Sequence, residues 1–101
     1  PADRISFSSD ANASLPRFDS EGRLIELRCG QIASLWQECV RACALGVSFE
    51  VALGVVTADP ARALGLAGKG AIAVGQDADL LLIDPNTLAI QRVMSGGQWR
   101  T

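Results

Sequence analysis

The chain has 101 residues, 49% hydrophobic and 20% charged, a balance that suits a folded domain with a modest core rather than a disordered segment. Its 9 Lys and Arg stand against 11 Asp and Glu with no block of one sign, which argues against a surface for nucleic acid or anionic lipid. The continuous apolar runs, such as Leu80 to Ile83, fall far short of the ~20 residues that span a bilayer, so no segment is expected to insert in a membrane.

The sequence starts Pro1-Ala2-Asp3-Arg4, without Met or a charged-then-apolar leader, and passes at once into a strand-like run. It reads as a cut end, and the cytoplasm is the expected compartment. Arg4 to Ser9 alternates, Ile5 and Phe7 facing one way and Ser6, Ser8 and Asp10 the other, which predicts a short strand that needs a partner. Leu15 to Leu27 contains Pro16, an Asp19-Ser20-Glu21-Gly22 turn and the alternating Leu24-Ile25-Glu26-Leu27. It predicts a long loop with room for a small hairpin, and loops of that length usually carry function.

From Gln31 to Leu45 the residues Ile32, Leu35, Trp36, Cys39, Val40 and Cys43 recur at helical spacing, and Gly46 supplies the stop. Burying that face is worth on the order of 10 kcal/mol before ordering entropy is subtracted, so it demands a partner surface. Ser48 is placed to cap a second helix running to Val56. Asp59-Pro60 looks like a cap followed by a first-turn proline for a third helix ending near Gly65. Beyond it the composition shifts to Gly68, Gly70 and Gly75, then Leu80 to Ile83, a Pro85-Asn86 turn, and Leu88 to Trp99, which read as strands joined by tight turns. The unbroken Leu80 to Ile83 run predicts a strand covered on both faces.

Three cysteines, Cys29, Cys39 and Cys43, are an odd number, which fits reduced thiols better than a disulfide framework. With no histidine in the chain, Cys39 and Cys43 cannot complete a tetrahedral zinc set and read as small packing residues. Trp36 and Trp99 likewise read as packing residues. Asp77 and Asp79 suggest a metal pair only superficially, because beside glycine-flanked strands they shape turns. By position alone Asp10 is a strand-end acid, and Asn12 and Ser14 are loop residues with local hydrogen bonds.

Two segments carry a resemblance. Ser8-Ser9-Asp10 closing a strand, with Asn12 and Ser14 after it, and the stretch Gly68-Lys69-Gly70-Ala71-Ile72-Ala73-Val74-Gly75-Gln76-Asp77-Ala78-Asp79-Leu80 together resemble the amidohydrolase superfamily. The continuation Leu15-Pro16, then Phe18-Asp19 and Glu21-Gly22, is similar to the segment after the eighth strand in isoaspartyl (beta-aspartyl) dipeptidases. The resemblance covers nearly the whole chain. It implies an α/β fold in which the last strand and helices of a (β/α)8 barrel, residues 1–66, are followed by strands of a small β-sandwich, residues 67–101.

The same resemblance implies a zinc-dependent hydrolase of beta-aspartyl dipeptides, with Asp10 as metal ligand and proton shuttle and Ser14 as substrate contact. The two zinc ions belong to the complete enzyme; none is expected on this chain alone, because the family's remaining ligands include histidines that the chain lacks. The expected partners are the remainder of the barrel, the dipeptide substrate and further copies in a homo-oligomer, with no nucleic acid and no membrane. Ala11 and Ala13 stand where the family's pattern has glycines, and if those positions need positive φ the alanines cost roughly 1 kcal/mol each. Two other readings remain: another amidohydrolase of D-aminoacylase or dihydroorotase type, and a non-catalytic module that uses its helix and strand edges to bind other chains.

Overall fold

The computed structural model describes residues 1–100, in which two antiparallel sheets flank three short helices. After a single 3-10 turn, Ala2–Arg4, the chain runs irregularly to Asp10. A hairpin follows, β1 (Ser14–Phe18) and β2 (Leu24–Cys29). Then come α1 (Ser34–Ala44), α2 (Phe49–Gly54), α3 (Ala58–Ala63) and a meander of β3 (Leu80–Ile83), β4 (Ile90–Ser95) and β5 (Gln98–Arg100).

The run from Arg4 to Ser9 is not a strand here. A strand holds its extended form through main-chain bonds to a neighbour, and among the described residues none pairs with it. The segment instead leans on the helices: Phe7 N donates to Val55 O at 3.0 Å, and the Arg62 guanidinium donates to Asp3 O. The loop expected over Leu15 to Leu27 is mostly hairpin, because Asp19 organises its tip. One Asp19 carboxyl oxygen accepts from Glu21 N and Arg23 N, each at 2.9 Å, and Gly22 takes a φ of 79°. These backbone donors and the Arg23 guanidinium hold the Asp19 carboxyl below its ordinary pKa.

The helix α1 buries Cys39 and half-buries Leu35, Trp36, Val40 and Cys43, as its apolar periodicity requires. Trp36 Nε1 donates to Leu88 O at 2.9 Å and so ties α1 to the turn between β3 and β4. Burial, and then Cys43 and Glu38 nearby, push the Cys39 thiol above its ordinary pKa, and its Sγ lies 3.5 Å from Ala52 O. Ser48 caps α2, its hydroxyl accepting from Val51 N at 3.3 Å. The third helix begins two residues earlier than the Asp59-Pro60 signal suggested: Thr57 flanks it, and Asp59 lies inside the first turn, paired with Arg62 at 2.6 Å.

The core is small: among the described residues its buried apolar side chains are Cys39, Ala52, Val55 and Ala61. Correspondingly, the strand β3 is not covered on two faces, since Leu81 and Leu82 are about half exposed. The glycine-rich segment before it packs closely instead. At Gly70, φ 85°, an added Cβ would press on Ala61 and the backbone of α3. Asp77 and Asp79 act structurally: Lys69 is 2.9 Å from Asp77 and also pairs with Asp79, while Asp79 accepts from Gly96 N at 2.8 Å. No described helix is long and apolar enough to cross a membrane.

Candidate active site

Asp10 stands exposed at the end of the irregular segment, and the chain reverses immediately after it. Ala13 N closes the turn on Asp10 O at 3.0 Å, and Asp10 N donates to the Ser8 hydroxyl at 3.2 Å. Asp10 and Asn12 adopt φ values of 50° and 67°, in the left-handed region, whereas Ala11 and Ala13 do not. The strain expected of two alanines therefore falls on an aspartate and an asparagine, the side chains that tolerate this region best after glycine.

The base of the hairpin fixes this turn. Asn12 N donates to Gly30 O at 2.9 Å and Gly30 N donates to Ala13 O at 2.9 Å, so the loop is sewn to the residue that follows β2. The Cys29 Sγ lies 3.9 Å from the Asn12 side-chain oxygen, which places Asn12 in the scaffold of the loop. Ser14 opens β1, four residues after Asp10, and pairs with Cys29. The structure thus brings Asp10, Asn12 and Ser14 together on one short turn. Gly30 had not been singled out in the sequence, although a glycine directly after an alternating strand is a signal of close backbone approach.

The hairpin has two unlike faces. By alternation and pairing, Pro16 and Leu27 share one face with Ser14 and Cys29, while Leu15, Arg17, Glu26 and Arg28 share the other. On the charged face Glu26 lies 2.8 Å from Arg17 and 2.7 Å from Arg28, and those two hydrogen bonds, Arg17 first, lower its carboxyl pKa. A groove of about 730 Å³ runs along the hairpin base past Leu15, Arg17, Arg28, Gln31 and Ser34, but neither Asp10 nor Ser14 lines it.

Among the described residues no group of three or more His, Cys, Asp or Glu side chains is placed to hold a metal ion. The donor chemistry of the site fits one oxygen ligand, Asp10, of a larger centre, and not a centre by itself.

The amidohydrolase family model matches residues 2–100. The chain belongs to the amidohydrolase family. Its structure is similar to a beta-aspartyl dipeptidase from Fervidobacterium islandicum AW-1 in complex with beta-Asp-Leu dipeptide, with a TM-score of 0.84 and 36% identity over 97% of this chain and 26% of that one. A second structure of a beta-aspartyl dipeptidase from that organism gives a TM-score of 0.77 and 30% identity, over 97% and 23% of the two chains. An N-acetylglucosamine-6-phosphate deacetylase from Pasteurella multocida shares the fold alone, at a TM-score of 0.71 and 21% identity over 97% of this chain and 30% of that one. In sequence, 40 residues are 50% identical to a dihydroorotase of Halobacterium salinarum, covering 40% of this chain and 10% of that protein. The amidohydrolase chain therefore spans about a quarter of the length of the beta-aspartyl dipeptidases it resembles.

Proposed function

We propose that this amidohydrolase segment is the C-terminal part of a zinc-dependent hydrolase of beta-aspartyl dipeptides, and that Asp10 is its catalytic acid. The observation that supports it most is the likeness at a TM-score of 0.84 and 36% identity, over nearly the whole chain, to a beta-aspartyl dipeptidase bound to a beta-aspartyl dipeptide. In this reading residues 1–66 supply the last strand and helices of a (β/α)8 barrel, and residues 67–101 supply strands of a β-sandwich. The segment before Asp10 becomes a strand once preceding barrel strands offer it main-chain partners, and Asp10 then sits at a strand's C-terminal end, where barrels carry their chemistry. The remaining barrel, the dipeptide and further copies in a homo-oligomer are the partners, in the cytoplasm.

Divalent cations, when bound there, would supply Lewis-acid polarisation of the scissile amide and ease the ionisation of water. Asp10 would hold one such ion through a carboxylate oxygen. It would then take the proton released by the attacking water and deliver it to the leaving amine. Ser14, at the mouth of the same turn, would hydrogen-bond the substrate. The isolated chain, with one ligand in place, is expected to bind no stoichiometric zinc and to be inactive.

The test uses the complete protein, assayed on beta-aspartyl dipeptides and on dihydroorotate. Asp10→Asn keeps the shape but accepts no proton, so kcat on beta-aspartyl dipeptides is expected to fall by about 10² to 10⁴ with the fold intact. Ser14→Ala should raise KM about fivefold, as for loss of a hydrogen bond worth ~1 kcal/mol in the ground state. An Asp10→Asn enzyme that keeps more than about a tenth of its kcat makes Asp10 a structural acid. The dihydroorotase likeness over 40 residues supports a second reading. Turnover of dihydroorotate without turnover of beta-aspartyl dipeptides would decide for it.

A further inference from the structure

Gly30 differs from the other constrained glycines of the chain. Its φ is not positive, so its lack of a side chain serves space rather than backbone freedom. A Cβ at Gly30 would overlap the Asp10 carbonyl oxygen and lie 3.0 Å from the Asp10 carbonyl carbon and 3.5 Å from Ala11 Cα. Those are backbone atoms and cannot swing aside as a flexible side chain would. Both main-chain groups of Gly30 are also engaged with the same loop, its amide with Ala13 O and its carbonyl with Asn12 N, each at 2.9 Å. Two left-handed non-glycine residues, Asp10 and Asn12, persist in such a short turn only where surrounding contacts over-determine it.

We propose that Gly30 is a positioning residue for the Asp10 carboxylate, acting through the close approach of its bare Cα and through its paired hydrogen bonds to the loop. The inference rests on the reading of Asp10 as the catalytic acid. Filling the space at Gly30 pushes the Asp10 main chain away, and the carboxylate moves with it while the fold around the hairpin remains.

The experiment compares variants of the complete protein by kcat, KM and thermal midpoint. Gly30→Ala is expected to lower kcat by about 10- to 100-fold with little change in KM, since a misplacement of ~1 Å costs about 10² in rate. Gly22→Ala is the control. At the hairpin tip, with φ 79° and nothing within 4 Å of its added Cβ, it strains the hairpin without touching Asp10, so its midpoint falls while its kcat stays. Asn12→Val displaces the loop from the other end, because a branched residue resists a φ of 67°. It should lose kcat as Gly30→Ala does, and Asn12→Gly should restore it. Wild-type kcat in Gly30→Ala or Asn12→Val, alongside an inactive Asp10→Asn, overturns the positioning role and leaves the catalytic reading standing. An active Asp10→Asn removes the catalytic reading, whatever Gly30→Ala does. If Gly30→Ala does not fold, Asn12→Val and Asn12→Gly decide alone.

Discussion

Lys69 stands between two carboxylates, Asp77 at 2.9 Å and Asp79, and Asp79 also takes the amide of Gly96 from the turn between β4 and β5. Three stretches of chain are joined at one side chain. The Lys69 bond, ahead of the Gly96 bond, depresses the Asp79 carboxyl below its ordinary 3.8, and the bonds to Asp79 and then Asp77 raise Lys69 above its ordinary 10.5. A depressed acid contributes all of its stabilisation above its unfolded value, and that contribution disappears as pH falls through the folded value. A raised lysine contributes fully below its unfolded value and loses it as pH rises through the folded one. The clasp is therefore complete at neutral pH and fails first on the acid side. Asp79→Asn keeps an acceptor for Gly96 but removes the titrating charge, so its thermal midpoint should fall less than the wild type's between about pH 5 and about pH 2. Parallel curves for the two proteins would reject the clasp as a source of acid lability. The turn-shaping role of Asp77 and Asp79 was legible from the glycines around them. The left-handed conformations of Asp10 and Asn12 were not, because the residues at Ala11 and Ala13 drew the expectation of strain and only the pairing with Gly30 determines which residues carry it.

The existence of the helices and the hairpin followed the local signals of the sequence, although α1 begins at Ser34 and not at Gln31, and α3 at Ala58 and not at Pro60. Five of the six apolar residues at helical spacing lie in α1, Ile32 standing exposed just before it, while the Asp19 turn produces the hairpin and Ser48 caps α2 where it was expected. The larger failure was non-local: Arg4 to Ser9 alternates as a strand does, yet a strand exists only beside another, and no neighbour lies among the described residues. Ser48 offers the cleanest measure of how much one local signal contributes. Its hydroxyl satisfies Val51 N at the start of a six-residue helix that carries Ala52, and Val55, just past the helix end, accepts from Phe7 N on the segment leading to Asp10. Ser48→Ala in the complete protein should cost about 1 kcal/mol, read as a lowered thermal midpoint. Asp or Asn at the same position should restore most of it. A midpoint unchanged in Ser48→Ala would mean that tertiary contacts alone hold α2, with the cap contributing nothing.

Taken as a whole, the molecule has more apolar surface than it can cover. Its radius of gyration is 16.0 Å, against about 13 Å for a compact domain of 100 residues, and its extents are 53 × 32 × 28 Å. Among the described residues, four small buried apolar side chains make a core far too slight to stabilise such a chain alone, while Ile32, Leu45 and Leu64 are each more than two thirds exposed. On the hairpin Phe18, Ile25 and Leu27 also stand open, at half exposure or more. Exposed apolar area on this scale points to a surface that another body covers. In the complete enzyme that body would be the rest of the barrel and a neighbouring copy, and in the isolated 101-residue chain the available body is a second copy of the same chain. The chain by itself is therefore expected to self-associate. Sedimentation should give a mass that rises with concentration, and the association should weaken on cooling, as apolar contacts do. Leu27→Glu and Phe18→Glu, which place charge on the hairpin without touching Asp10, should shift the equilibrium towards monomer. A cooperatively folded monomer at every concentration would show that the exposed faces are tolerated as they stand, and it would remove this support for a larger parent body.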